Sequence, residues 1–83
     1  MSDPRPELEE MILTLLEARD PGKSICPSEA ARKVFPDSWR DYMDETRSVA
    51  IELASAGKIE ICQGGEPVES FDFRGPIRLR KPT

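Results

Sequence analysis

Between Pro6 and Arg19 the apolar residues Leu8, Met11, Ile12, Leu15 and Leu16 recur at i, i+3, i+4, i+7 and i+8, which predicts a helix over residues 6–19 with a single apolar stripe. Pro6 suits the first turn, where its missing N–H is no loss, and Glu7, Glu9 and Glu10 suit the positive end of the dipole. Arg19 favours the opposite end, and Asp20-Pro21-Gly22 stops the helix with a turn. A short strand at Ser24-Ile25 follows. The second helix starts at Pro27 and turns Ala30, Ala31, Val34 and Phe35 inward until Pro36 forbids continuation. A third helix opens at Asp37, a good N-cap, and keeps the helical period through Trp39, Tyr42, Met43, Val49, Ala50 and Leu53. Gly57 suits a left-handed cap at its end.

From Lys58 the period changes to two. Lys58-Ile59-Glu60-Ile61-Cys62 is matched later by Ile77-Arg78-Leu79-Arg80, so two antiparallel strands are expected. Pairing Ile61 with Ile77 and Ile59 with Leu79 turns the aliphatic residues inward. It also sets Glu60 opposite Arg78 on the outer face, a pair contributing about 0.2–1 kcal/mol. Residues 63–75 connect the strands through a Gly64-Gly65 turn, with Phe71 and Phe73 either folded back on the domain edge or exposed at the tip. Helix-strand-helix-helix-strand-wing-strand is the element order of an α+β winged helix. It is expected as a single domain over residues 1–83, with a core over about 6–81 and frayed termini. That scaffold serves many unrelated tasks, so it does not by itself define a chemistry.

At 83 residues there is room for one small core. The net charge of −4 and pI near 4.8 argue against general nucleic-acid affinity, which comes mainly from Lys and Arg neutralising phosphates. The charge is uneven: residues 1–57 carry 7 basic and 12 acidic side chains, residues 58–83 carry 5 and 4. An anionic partner would therefore meet the C-terminal hairpin. Cys26 and Cys62 lie far apart, and the chain has no histidine, so neither a metal site nor a disulfide framework is indicated and no cofactor is expected. The acidic, Pro-containing start MSDPRPELEE is the reverse of a signal peptide, and the longest apolar run is far below membrane-spanning length. A cytoplasmic chain with free thiols and no membrane partner is the expectation.

The strings ICPSEAARKVF and RGPIRLR, with AGKIEI between them, resemble a small bacterial family catalogued as domain of unknown function 3253. Ile25 to Glu29, Ala31 or its neighbour, and Arg32 correspond to the family's first motif, and Arg74 to Arg78 to its second; the likeness covers about residues 6–81. The resemblance implies a winged-helix-like, stand-alone bacterial domain with no established activity, cofactor or catalytic residue. Some relatives carry an added Cys-rich, zinc-type segment, which this chain lacks.

In many winged-helix regulators the solvent face of the third helix enters the major groove. Here the face farthest from the Trp39, Met43, Ala50 stripe carries Asp41, Glu45, Ser48 and Glu52, with Arg40 and Arg47 on a flank where pairing with Asp44 is the simple reading. Three carboxylates repel phosphates, so the preferred function is a non-catalytic module engaging a protein partner, or its own copy, through Asp41, Glu45, Glu52, Phe71 and Phe73. The alternative is a nucleic-acid-binding domain that docks through Arg32, Arg74, Arg78, Arg80 and Lys81, with Lys33 nearby. Cys26 precedes a helix and so has one attribute of a nucleophile, but it has no histidine as base. Cys26, Pro27, Ser28, Glu29, Gly75 and Pro76 are accordingly read as structural, with Glu29 and Arg74 as a candidate ion pair across the core. No enzyme is expected.

Overall fold

The computed structural model describes residues 3–19, 22–68 and 75–82. Helix α1 spans Arg5–Glu17, strand β1 Ser24–Ile25, helix α2 Pro27–Val34 and helix α3 Met43–Ser55; β2 spans Glu60–Gln63, β3 Glu66–Pro67 and β4 Arg78–Arg80. A short 3-10 turn, Trp39–Tyr42, joins α2 to α3. The three helices pack on one another and on an antiparallel sheet of order β1-β4-β2-β3, a winged-helix-like α+β arrangement.

The α1 stripe sends Leu8, Ile12 and Leu16 into the core, where they meet Ile25 of β1, Ala30 of α2, Val49, Ala50 and Leu53 of α3, and Ile59, Ile61, Ile77 and Leu79 from the sheet side. Full burial of a side chain of this size stabilises by about 1.5–3 kcal/mol. Met11 and Leu15 are half-buried at the edge of that core. The backbone N–H of Arg5 donates to Asp3 Oδ1 at 3.0 Å, which satisfies one of the free donors at the start of α1. Arg19 lies beyond the last turn and does not serve the α1 dipole: its guanidinium reaches the Glu29 carboxylate at 2.7 Å.

The third helix departs from expectation at its start. Asp37 is exposed in a turn and caps nothing; Trp39 to Tyr42 wind as 3-10, and α3 proper begins at Met43. Thr46 is fully buried and donates from Oγ1 to the Tyr42 carbonyl at 2.6 Å, while Tyr42 stacks on Phe35 with ring centroids 3.8 Å apart. These contacts bind the aromatic residues to the corner instead of to a continuous helix. The other end follows expectation. Gly57 has φ 76°, its N–H donates to Ala54 O at 3.0 Å, and the Lys58 N–H donates to Leu53 O at 2.9 Å. This is the Schellman pattern that a left-handed residue makes possible.

The sheet has the expected inward face and a different register. Ile61 lies opposite Leu79, Glu60 opposite Arg80 and Cys62 opposite Arg78, a slide of two residues from the Ile61–Ile77 pairing. A slide of two keeps every side chain on its own face, so hydrophobic alternation does not distinguish the two registers. On its other edge β4 pairs with β1, Ser24 opposite Arg80 and Ile25 opposite Leu79. The two-residue Gly64-Gly65 loop, with φ 61° and 86°, turns β2 into β3, as a hairpin needing positive φ at both positions requires. Strand β3 was not expected, because it is only two residues long and contains Pro67, which an edge strand tolerates.

Candidate functional site

Three surfaces carry the charged residues that could meet a partner. The first is the outer side of the 3-10 turn and α3. Asp41, Asp44, Ser48 and Glu52 are exposed, whereas Glu45 is half-buried, with Oε2 shielded from solvent and no hydrogen-bond partner in the structure. Glu45 is thus drawn into a shallow groove with Arg5, Asp44 and Ser48 instead of standing on the outer ridge. Arg5 crosses from α1 and its guanidinium pairs with the Glu52 carboxylate. Arg47 pairs with no carboxylate among the described residues; it donates to the Gly75 carbonyl at 3.0 Å, which ties α3 to the segment leading into β4. The expected Asp44 pairings with Arg40 and Arg47 are therefore not formed.

The outer side of α1 adds to the acidic surface. One open groove is lined by Pro6, Glu9, Glu10, Leu13, Thr14 and Glu17; a neighbouring one runs from Glu7 and Met11 to Val34 of α2. Carboxylates and apolar side chains together line both grooves.

The second surface is the hairpin on which a basic grip was expected. Arg80 is directed at Glu60, with Nη2 3.1 Å and Nε 3.3 Å from Oε2, and each side chain is 22% exposed. Arg78, expected opposite Glu60, instead donates from Nε to Ser24 Oγ and from Nη2 to the Ser24 carbonyl, both at 3.0 Å. Both arginines tie β4 to its neighbours. Lys81 is half-buried, and Arg32 stands on α2 against the Trp39 ring. Arg74, Phe71 and Phe73 lie outside the described residues.

The third surface is the corner between α2 and the 3-10 turn. The Arg32 guanidinium carbon sits 4.3 Å from the Trp39 ring centroid and that of Arg40 sits 5.1 Å away, both within cation–π range. Arg32, Lys33 and Arg40 are exposed and Trp39 is half-buried. Sequence reasoning placed these residues on separate helices. The cue that was available, an arginine beside the chain's one tryptophan, does not say that a second arginine seven residues earlier reaches the same ring.

At the first family-like motif, Cys26-Pro27-Ser28-Glu29 fills the slots of a capping box with a thiol at the cap position. The Cys26 N–H donates to Glu29 Oε2 at 2.8 Å, and the Ser28 hydroxyl donates to Cys26 Sγ at 3.0 Å. Glu29 spends its other oxygen on Arg19. In the second motif, Gly75 and Pro76 are exposed and lend carbonyl oxygens to Arg47 and Gln63. At these positions the motif residues take part in hydrogen bonds within the domain. Cys62 is buried on β2, and burial pushes its thiol up, with the Arg80 guanidinium opposing and Glu60 reinforcing. Both cysteines are free. Among the described residues no helix is long and apolar enough to cross a membrane.

The chain belongs to a family described as a protein of unknown function, domain of unknown function 3253, whose model matches residues 5–82. Comparison with curated proteins gives no match. The fold therefore comes with a family and without an inherited activity.

Proposed function

We propose that this domain is a non-catalytic protein-binding module that offers the acidic outer sides of α3 and α1 to a basic surface of its partner. The observation that carries the reading is the sign of the surface along the 3-10 turn and α3: Asp41 of the turn and Asp44 and Glu52 of α3 are exposed where a duplex-reading helix needs cations. The grooves along α1, lined by carboxylates and apolar side chains together, support the same reading, since mixed apolar and charged contact suits a polypeptide better than a phosphate backbone. Against the alternative of nucleic-acid binding through the hairpin, Arg78 and Arg80 are engaged by Ser24 and Glu60.

The test is affinity capture from host extract with the wild-type chain and with a variant carrying Asp41→Lys and Asp44→Lys, alongside light scattering for self-association. A protein retained at low salt, released by high salt and not retained by the variant is the expected result. A strict monomer that retains nothing, or that retains the same proteins after charge reversal, overturns the reading.

A further inference from the structure

The α2 corner holds a different kind of surface from the one just proposed. Arg32, in the last turn of α2, and Arg40, in the 3-10 turn, both lie against the Trp39 ring. Neither guanidinium has a carboxylate within ion-pairing distance among the described residues, whereas Arg5, Arg19 and Arg80 each do. A guanidinium held over an indole by cation–π attraction spends no N–H on a carboxylate there and keeps its donors for an incoming anion. A ring that holds two such groups reduces the side-chain freedom lost when an anion arrives. Beneath the ring, the Phe35–Tyr42 stack and the Thr46–Tyr42 hydrogen bond fix the corner on which Trp39 stands.

We propose that Arg32 and Arg40, held on Trp39, form an anion clamp that receives an acidic side chain of a peptide partner. The inference rests on the protein-binding reading and adds a second, oppositely charged contact to it. The oxyanion is either a carboxylate or a phosphate, since a guanidinium fork matches both. A long polyanion fits less well. Exposed Asp37 and Asp41 flank the clamp in the chain and Asp44 follows on α3, so a run of phosphates would meet carboxylates on leaving it, whereas a single acidic side chain would not. A partner that must match acid on α3 with base, and base at this corner with acid, is also oriented by the match.

Trp39 is the chain's one tryptophan, so its emission reports on the clamp directly. The experiment titrates the wild-type chain at low salt with a glutamate-containing peptide, the same peptide with phosphoserine, a neutral glutamine version, and single-stranded and duplex oligonucleotides. The expected result is a salt-sensitive change in Trp39 emission with one or both acidic peptides and none with the neutral one. The Arg32→Gln and Arg40→Gln double variant should weaken it at least about tenfold, and Lys23→Gln, which removes an exposed charge elsewhere, should leave it in place. Response to phosphoserine alone identifies phosphate, and response to both identifies a general oxyanion clamp.

If circular dichroism shows that the double variant does not fold, Arg32→Lys and Arg40→Lys, tested singly, replace it. They keep the charge, lose the fork and should still weaken binding. The proposal is overturned if no acidic peptide changes the emission, if the neutral peptide matches them, or if the response survives loss of both guanidiniums. It is also overturned if only the oligonucleotides respond, which would assign the corner to nucleic acid. Failure here with charge-dependent capture intact leaves the acidic surface of α3 as the binding face and removes only the clamp.

Discussion

Arg80 of β4 lies directly opposite Glu60 of β2 and directs two guanidinium nitrogens at a single carboxylate oxygen, Oε2, at 3.1 and 3.3 Å. The pair is only 22% exposed on each side, which shields it from much of the screening that makes surface ion pairs weak. A double-mutant cycle with Glu60→Gln and Arg80→Gln should give a coupling of about 0.5–1 kcal/mol in urea unfolding. The cycle between Glu60 and Arg78 should give close to none. A larger coupling to Arg78 would mean the strands pair two residues out of the observed register.

Leu79 sits on the central strand, fully buried, with β1 on one side and β2 on the other. Leu79→Ala removes apolar contacts at a place where two strands hold the backbone and hinder collapse. The expected loss is about 2–5 kcal/mol, a large part of the total of about 4–12 kcal/mol expected for a chain this size. Urea denaturation followed by circular dichroism checks this; a loss below about 1 kcal/mol would contradict the packing.

Glu29 joins the start of α2 to the end of α1 by accepting from the Cys26 N–H and from Arg19. Glu29→Ala should cost about 1 kcal/mol through the lost cap. Arg19→Gln should cost no more than about 0.5 kcal/mol, because that pair is well exposed. Equal losses for the two variants would shift the weight from the cap to the ion pair.

Burial holds the Cys62 thiol above its ordinary range, so the folded chain keeps that proton where the unfolded chain has begun to release it. Its stabilising contribution is present below the ordinary thiol pKa and is lost as pH rises through the elevated one. Alkylation at mildly alkaline pH, followed by mass spectrometry, should therefore modify half-buried Cys26 first and Cys62 only on unfolding. The alkaline decline in stability should be smaller in Cys62→Ala. Prompt labelling of Cys62 in the native chain would contradict both statements.

The helices and the inward face of the sheet were legible because they rest on local periodicity: Leu8, Ile12 and Leu16 fall on one stripe, and Ile61 and Leu79 alternate with charged residues. The strand register was not legible, since a slide of two residues satisfies the same alternation. The acidic surface of α3 was readable from helical spacing, apart from Glu45, which the Arg5–Ser48 groove draws inward. Long-range pairings were not readable. Arg5 meets Glu52 across 47 positions, and Arg32 meets Trp39 around a corner that the helical pattern read as the start of a straight helix.

The central claim is that the exposed α3 surface repels a nucleic-acid backbone. Amide chemical-shift mapping of the labelled chain with a mixed-sequence duplex at low salt tests it directly. The amides of Asp41, Asp44, Ser48 and Glu52 should remain unshifted, and Asp41→Lys with Asp44→Lys should create duplex binding at that surface. Shifts concentrated on those four residues in the wild-type chain would contradict the account.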